Sequence, residues 1–329
     1  MTALERRYRR LLLAYPADYR RDRGDEIVGT YLDLADGGRR WPSPSDAADL
    51  VRGGLRQRLR AAVATDLIPG VRLAGLLALA TATFLAGFWM VVEQQQPVGA
   101  GVPGFGPFVS AGVVLWLVWL LAALLVLVAP GRPTHVTITV AMLATTAVPA
   151  LSLAAGLPRP PLLVLAPQVA LGVLALAVDR HLPLTARFLP IVTAASGGAF
   201  ASRAGGSLYW GSYRWTSEQL LPATGAVLLV VTVLLAVGLA IRQDTRGGWA
   251  VLALLTPSGL LSVHILASAV DGLGGAPRPT YPTLVGTALV VGLLGPTVLP
   301  AAVALRRRAG ILSAGPRPTK PCPTCGTHR

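Results

Sequence analysis

Eight apolar stretches fill the chain between residues 68 and 305: Leu73–Val92, Phe108–Ala129, Thr134–Leu157, Pro161–Val178, Pro183–Ser202, Leu220–Ile241, Trp249–Val270 and Thr283–Leu305. Each is close to the about 20 residues that a helix needs to cross the hydrocarbon of a bilayer. Nothing else in the sequence constrains the fold as strongly. A backbone amide in hydrocarbon finds no water, so a crossing segment must satisfy its own N–H and C=O groups and folds as a helix. The pattern predicts an all-α fold, a polytopic membrane helix bundle of about eight spans over 68–305. A small cytoplasmic three-helix module over 1–67 precedes it, and a basic tail over 306–329 follows. The fifth stretch is the weakest: it holds Arg187 and two prolines, and its second half is rich in Gly, Ala and Ser. Were it not to cross, every later loop would change sides. Arg187 lies near one end of it, where a long basic side chain snorkels to the interface.

Positive charge is sorted around these stretches. With both termini in the cytoplasm, 25 of the 29 Lys and Arg fall on the cytoplasmic side and four outside. Leaving out the first fifty residues still leaves sixteen against four. Such a bias orients polytopic proteins, and it places this chain in a bacterial cytoplasmic membrane with both ends inside. The first apolar run begins near Leu73, too late for a secretory signal peptide, and is expected to stay as an anchor.

Composition agrees. The chain is 53% hydrophobic and 13% charged, against roughly 25% charged for a soluble domain. The net charge of +14 is not a nucleic-acid footprint: 28 of the 29 basic residues are Arg, Asn is absent, and both facts fit a coding bias toward G and C. The basic residues sit at membrane edges, where orientation and anionic headgroups account for them. No direct nucleic-acid binding is expected. Two cysteines, both in the tail, exclude a disulfide framework.

Residues 1–67 carry ten acids and thirteen Arg in a helical pattern. Leu4, Tyr8, Leu11, Leu12 and Tyr15 recur at helical spacing, and Pro16 ends that helix. A second helix is predicted over 18–35, with Ile27, Val28, Tyr31, Leu32 and Ala35 on its apolar face, stopped by Asp36-Gly37-Gly38. Ser43, Pro44 and Asp46 mark the start of a third. Val51, Leu55, Leu59 and Ala62 form its apolar stripe. Arg52, Arg56 and Arg60 form a second stripe, which suits either a solvated face or anionic lipid. Three short helices bury little surface alone, so a partner for their apolar faces is expected: the membrane domain, a second copy or another protein.

The run Leu4-Glu5-Arg6-Arg7-Tyr8-Arg9-Arg10-Leu11-Leu12, the turn Tyr15-Pro16-Ala17-Asp18-Tyr19-Arg20, Gly24-Asp25-Glu26-Ile27 and the segment from Ser45 to Leu55 resemble a recurring N-terminal module of actinobacterial multi-pass membrane proteins. The module is distantly similar to the permease-prefix and HAAS-type signalling modules. The resemblance covers about the first 65 residues. It implies a regulatory or assembly role and a PadR-like transcriptional regulator as partner. It transfers no catalytic residue.

Candidate chemistry is sparse. The spans hold few ionisable groups, which counts against a proton-coupled pump. Gln168 and His264 are the deepest polar candidates, and Pro257-Ser258-Gly259 ahead of His264 suits a broken helix beside a binding site. Hydrogen bonding to a neighbouring helix is the plainer role for both. The outer loops 93–107 and 203–219 are long. The second carries Tyr209, Trp210, Tyr213 and Trp215, suited to an interfacial helix or to a lid. Ser196-Gly197-Gly198 suits close helix packing. Arg306, Arg307 and Arg308 face cytoplasmic headgroups. The tail Cys322-Pro323-Thr324-Cys325-Gly326-Thr327-His328 resembles half of a zinc-ribbon knuckle: Cys322, Cys325 and His328 make three ligands where structural zinc takes four, and an unstructured tail is the plainer reading. No phosphate loop, nucleophile elbow or zinc-protease motif is present, and no enzymatic activity is expected. The sequence favours a regulatory or assembly protein of the membrane; the alternative is a permease component for an uncharged or lipophilic solute, suggested by a 4+4 layout of spans.

Overall fold

The computed structural model describes residues 2–35, 41–63, 66–95, 107, 108, 110–204, 213–274 and 278–313. The chain divides into two compact units, Met1–Gly70 and Val71–Arg329.

In the first unit, α1 (Ala3–Leu11) runs through a 3-10 turn at Leu12–Ala14 to Pro16, α2 spans Ala17–Asp33 and α3 spans Pro44–Val63. Thr2 caps α1 by accepting the Glu5 N–H at 3.2 Å, and Ser43 caps α3 by accepting the Asp46 N–H at 3.0 Å. The cap frees the Asp46 carboxylate for the Tyr8 hydroxyl, 3.0 Å away. Tyr31 donates to Asp49 at 2.6 Å; burial, then this bond, push the Tyr31 hydroxyl pKa well up. Leu4, Tyr8, Leu12, Tyr15, Val28 and Leu50 form the core, with Ile27, Tyr31, Leu32 and Ala35 packed on it. Of the predicted apolar stripe of α3, Val51 is the member whose side chain is described, and it does not face the core. Leu50 is buried at 1% exposure while Val51 stands 38% exposed. The cause is the glycine pair after Arg52. A Cβ on Gly54 would lie 2.7 Å from the backbone carbon of Ala14, so the backbone of α3 presses directly on the 3-10 turn and rotates Leu50, one helical turn earlier, inward. Arg52 is exposed; the side chains of Leu55, Arg56, Leu59, Arg60 and Ala62 lie outside the described residues.

The second unit is all-helical among the described residues: α4 (Leu67–Gln95, whose first turn belongs to the first unit), α5 (Gly112–Val128), α6 (Arg132–Ala155), α7 (Leu162–Ala175), α8 (Leu184–Ala204), α9 (Tyr213–Ile241), α10 (Arg246–Leu261), α11 (Val263–Leu273) and α12 (Tyr281–Ser313). Every predicted stretch is helical. Among the described residues five helices are long and apolar enough to cross a membrane, or six if the pair α10–α11, bent by 66°, is one span. The weakest predicted stretch, now α8, is among the five. The bend falls at Ser262, beyond the expected Pro257-Ser258-Gly259, which lies within α10 with Pro257 and Ser258 buried and Gly259 against Val291 of α12.

The helix α4 is the hub. Of its apolar window 78% is buried within the chain, against 11% for α12. Small residues let neighbours reach its backbone. A Cβ on Gly87 would collide with the Ala194 carbonyl, and one on Gly197 with the Phe84 carbonyl. The Gly/Ser-rich half of α8 is therefore a packing face. Thr83 donates across the same contact to the Pro190 carbonyl, 3.0 Å away. These contacts advance together, from Thr83–Pro190 to Phe88–Phe200, so α4 and α8 run parallel.

The short helices α5 and α7 have 17 and 14 residues, or about 26 and 21 Å of helix. Tightened turns lengthen α7 through Val178, whose N–H reaches the Ala175 carbonyl at 3.1 Å. Gly75 near the start of α4 abuts Leu174 and Val178, and Arg72 pairs with Asp179 at 2.8 Å. At the opposite end, Pro160 sits beside Gly112 and Glu93. The α7 segment thus reaches from one end of the apolar run of α4 to the other.

Candidate functional site

The structure gathers polar chemistry where α4 ends and α5 and α9 begin. Glu93 lies on the last turns of α4 and is fully buried. One carboxylate oxygen, Oε2, accepts the Ser110 N–H at 3.0 Å. The other, Oε1, accepts both the Ser110 hydroxyl and the Tyr213 hydroxyl in short hydrogen bonds. Each hydroxyl is itself supported. Gly112 N–H donates to Ser110 Oγ at 3.0 Å, and Trp116 Nε1 donates to the Tyr213 oxygen at 3.3 Å. Two relays of donors therefore converge on one carboxyl group, and hydrogen bonds linked in chains of this kind reinforce one another. The Tyr213 ring stacks on Trp89 with centroids 4.8 Å apart. Gly112 is required here: a Cβ would stand 2.8 Å from Glu93 Oε1 and 2.7 Å from the Pro160 ring.

Two expectations are corrected by this arrangement. Glu93 was assigned to an outer loop, but α4 runs on through it to Gln95. Tyr213 was assigned to an interfacial helix or a lid, but it opens α9 and faces the bundle. The spans are consequently less poor in acids than the hydropathy suggests. A carboxylate is tolerated at this depth because backbone, hydroxyl and indole-supported donors replace the water it loses. The signal available in the sequence was faint: one acid four residues beyond Trp89, closing an apolar run. Its partners lie 17 and 120 residues away, and no local pattern marks them.

Beside Tyr213 opens a cavity of about 750 Å³, lined by Arg159 and Pro160 ahead of α7, by Leu260 and Val263 flanking the bend, and by Tyr281 and Leu284 of α12. The volume is within the usual range for small-molecule sites. His264, in the first turn of α11, faces Glu218 of α9 with Nε2 3.6 Å from the carboxylate. Glu218 also lies within a helix rather than a loop. Gln168 is elsewhere. It is wholly buried in α7 and donates to the Ala82 carbonyl of α4 at 3.1 Å, leaving its own oxygen unpartnered. Gln168 and His264 thus belong to different interfaces, one against α4 and one against α9.

Arg306 is exposed near the end of α12. It donates to Thr245 at 3.1 Å and lies 5.7 Å from the Trp249 ring. The side chains of Arg307, Arg308 and Trp215 lie outside the described residues, as do Tyr209, Trp210 and the tail residues Cys322, Cys325 and His328. Among the described residues no group of three His, Cys, Asp or Glu is placed to hold a metal.

Searches of protein-family models, curated proteins and solved structures found no match to this chain.

Proposed function

We propose that this is a non-catalytic regulatory or assembly protein of a bacterial cytoplasmic membrane. Residues 1–70 are its docking element for a cytoplasmic partner, and the apolar helices are its anchor. The observation that carries this reading is that residues 1–70 close on a core of their own while leaving Leu13 and Leu34 57% and 76% exposed. A unit with a core of its own can be presented whole to a partner, and Leu13 and Leu34 are exposed leucines on it. The resemblance of the first 65 residues to permease-prefix and HAAS-type modules makes a PadR-like regulator the first candidate, with a second copy of the chain next.

In this reading the chain crosses eight times with both ends inside. Two observations support the count: α7 reaches both ends of the apolar run of α4, and α4 and α8 run parallel, which requires an odd number of crossings between them. Cross-linking of the full chain in native membranes tests the docking role. The wild type should yield one defined adduct, with a PadR-like regulator or with itself, and Leu13→Glu with Leu34→Glu should abolish it. An adduct unaffected by both changes, or no adduct at all, refutes the reading.

A further inference from the structure

A groove of about 650 Å³ runs between α4, α8 and α9 on the apolar flank of the bundle. Leu77 and Phe84 of α4, Leu189 and Phe200 of α8, and Val227 and Val231 of α9 are among its walls. It follows α8 from Leu189 to Arg203, about 21 Å along the helix and most of the way through a hydrocarbon layer of about 30 Å.

Four hydroxyls line it, and each donates to its own helix. Thr81 donates to the Leu77 carbonyl at 2.9 Å, Thr193 to Leu189 at 3.0 Å, Ser196 to Thr193 at 2.8 Å and Thr224 to Leu220 at 2.8 Å. With those donors engaged, the trough offers no O–H to a polar solute and suits a hydrocarbon chain. Among the described residues that line it, the one charged residue is Arg203. Arg203 is exposed and has no ion-pair partner among the described residues. It lies one turn beyond Phe200, which meets Phe88 at 6.0 Å, and so stands near the level of Glu93, where the apolar run of α4 ends. A hydrocarbon trough with one unpaired cation at its interfacial end is complementary to an anionic amphiphile.

We propose that this groove is a binding site for one anionic phospholipid, with an acyl chain between α8 and α9 and the phosphate on Arg203. The test is native mass spectrometry of the delipidated full chain, titrated with phosphatidylglycerol and with phosphatidylcholine of identical chains. The wild type should bind one phosphatidylglycerol about fivefold more tightly than phosphatidylcholine, the advantage of one interfacial arginine. Arg203→Gln should erase the preference, Arg203→Lys should keep it, and Arg278→Gln, an arginine outside the groove, should leave it unchanged. Ala223→Phe, which fills the groove, should weaken both lipids. Equal binding of the two lipids by the wild type, a preference that survives Arg203→Gln, or full binding by Ala223→Phe would overturn the proposal.

Discussion

Replacing Tyr213 by Phe removes one oxygen from the centre of the polar cluster and leaves the ring in place. The loss has two parts. Glu93 forfeits a buried hydrogen bond, about 0.5–1.5 kcal/mol. Trp116 Nε1, on a residue with 0% exposure, loses its acceptor, which adds about 1–3 kcal/mol for a buried unsatisfied donor. The stack on Trp89 should survive. The expected cost is about 3 kcal/mol, and for a unit of this size each kcal/mol lowers the melting temperature by about 2–4 °C. Tyr213→Phe should therefore melt about 6–12 °C below the wild type, followed by tryptophan emission in detergent at a fixed scan rate. Tyr281→Phe, at a 72% exposed tyrosine, is the control and should melt with the wild type. Glu93→Gln combined with Tyr213→Phe should cost less than the two single changes added, since both act on one bond. A Tyr213→Phe protein melting within about 2 °C of the wild type, or strictly additive losses, would refute the view that the two residues form one latch across α4, α5 and α9.

Other outcomes follow from the packing and the charges. Gly197→Ala should destabilise by about 1–3 kcal/mol through overpacking against the α4 backbone, whereas Gly286→Ala, with nothing within 4 Å, should be neutral or slightly stabilising; paired thermal melts compare them. The Asp179 carboxyl is held below the ordinary carboxylate range, chiefly by the His181 N–H and further by Arg72, against the opposing effect of burial. Its folded pKa is below its unfolded value of about 3.9, so its stabilisation is complete above that value and is lost as pH falls through the folded pKa. Melts from pH 6 down to about 2.5 should show Asp179→Asn less stable at the upper end and less sensitive to acid below about pH 4; a variant with an unchanged acid limb refutes this. Cys322 and Cys325 are the only cysteines, so a membrane-impermeant maleimide should leave the chain unlabelled in intact spheroplasts and label it after permeabilisation. Labelling before permeabilisation would reverse the assigned orientation.

Much of the secondary structure was legible residue by residue. The Ser43 cap and the proline-bounded start of α2 act within one turn of helix, so they are written locally. The apolar helices are equally legible, because a bilayer admits few other backbone conformations. The placement of Val51 in α3 was not. Leu50 and Val51 are both good core residues, and only the approach of Ala14 to Gly54 decides between them. The polar sites were half visible: His264 was marked by its type, while Glu218 opposite it and Glu93 with its donors come from segments far apart in the chain.

The sequence by itself determined that the chain becomes apolar helices and roughly where they lie, although α4, α9 and α12 each run well past the apolar stretch at one end and one expected span is the bent pair α10–α11. The apolar runs are set by how individual residues partition between water and hydrocarbon. Only the tertiary structure decided which helix is the hub, which carboxylate is enclosed and where a groove is left open. Lipid tails are as apolar as leucine, so hydropathy scores a buried helix and a lipid-facing one alike: α4 and α12 are both apolar runs, yet 78% of one window is buried and 11% of the other. What separates them is fit, in the glycines that admit a neighbour's backbone and the few hydrogen bonds that reach across, and fit is a property of pairs of surfaces that one strand of sequence does not display.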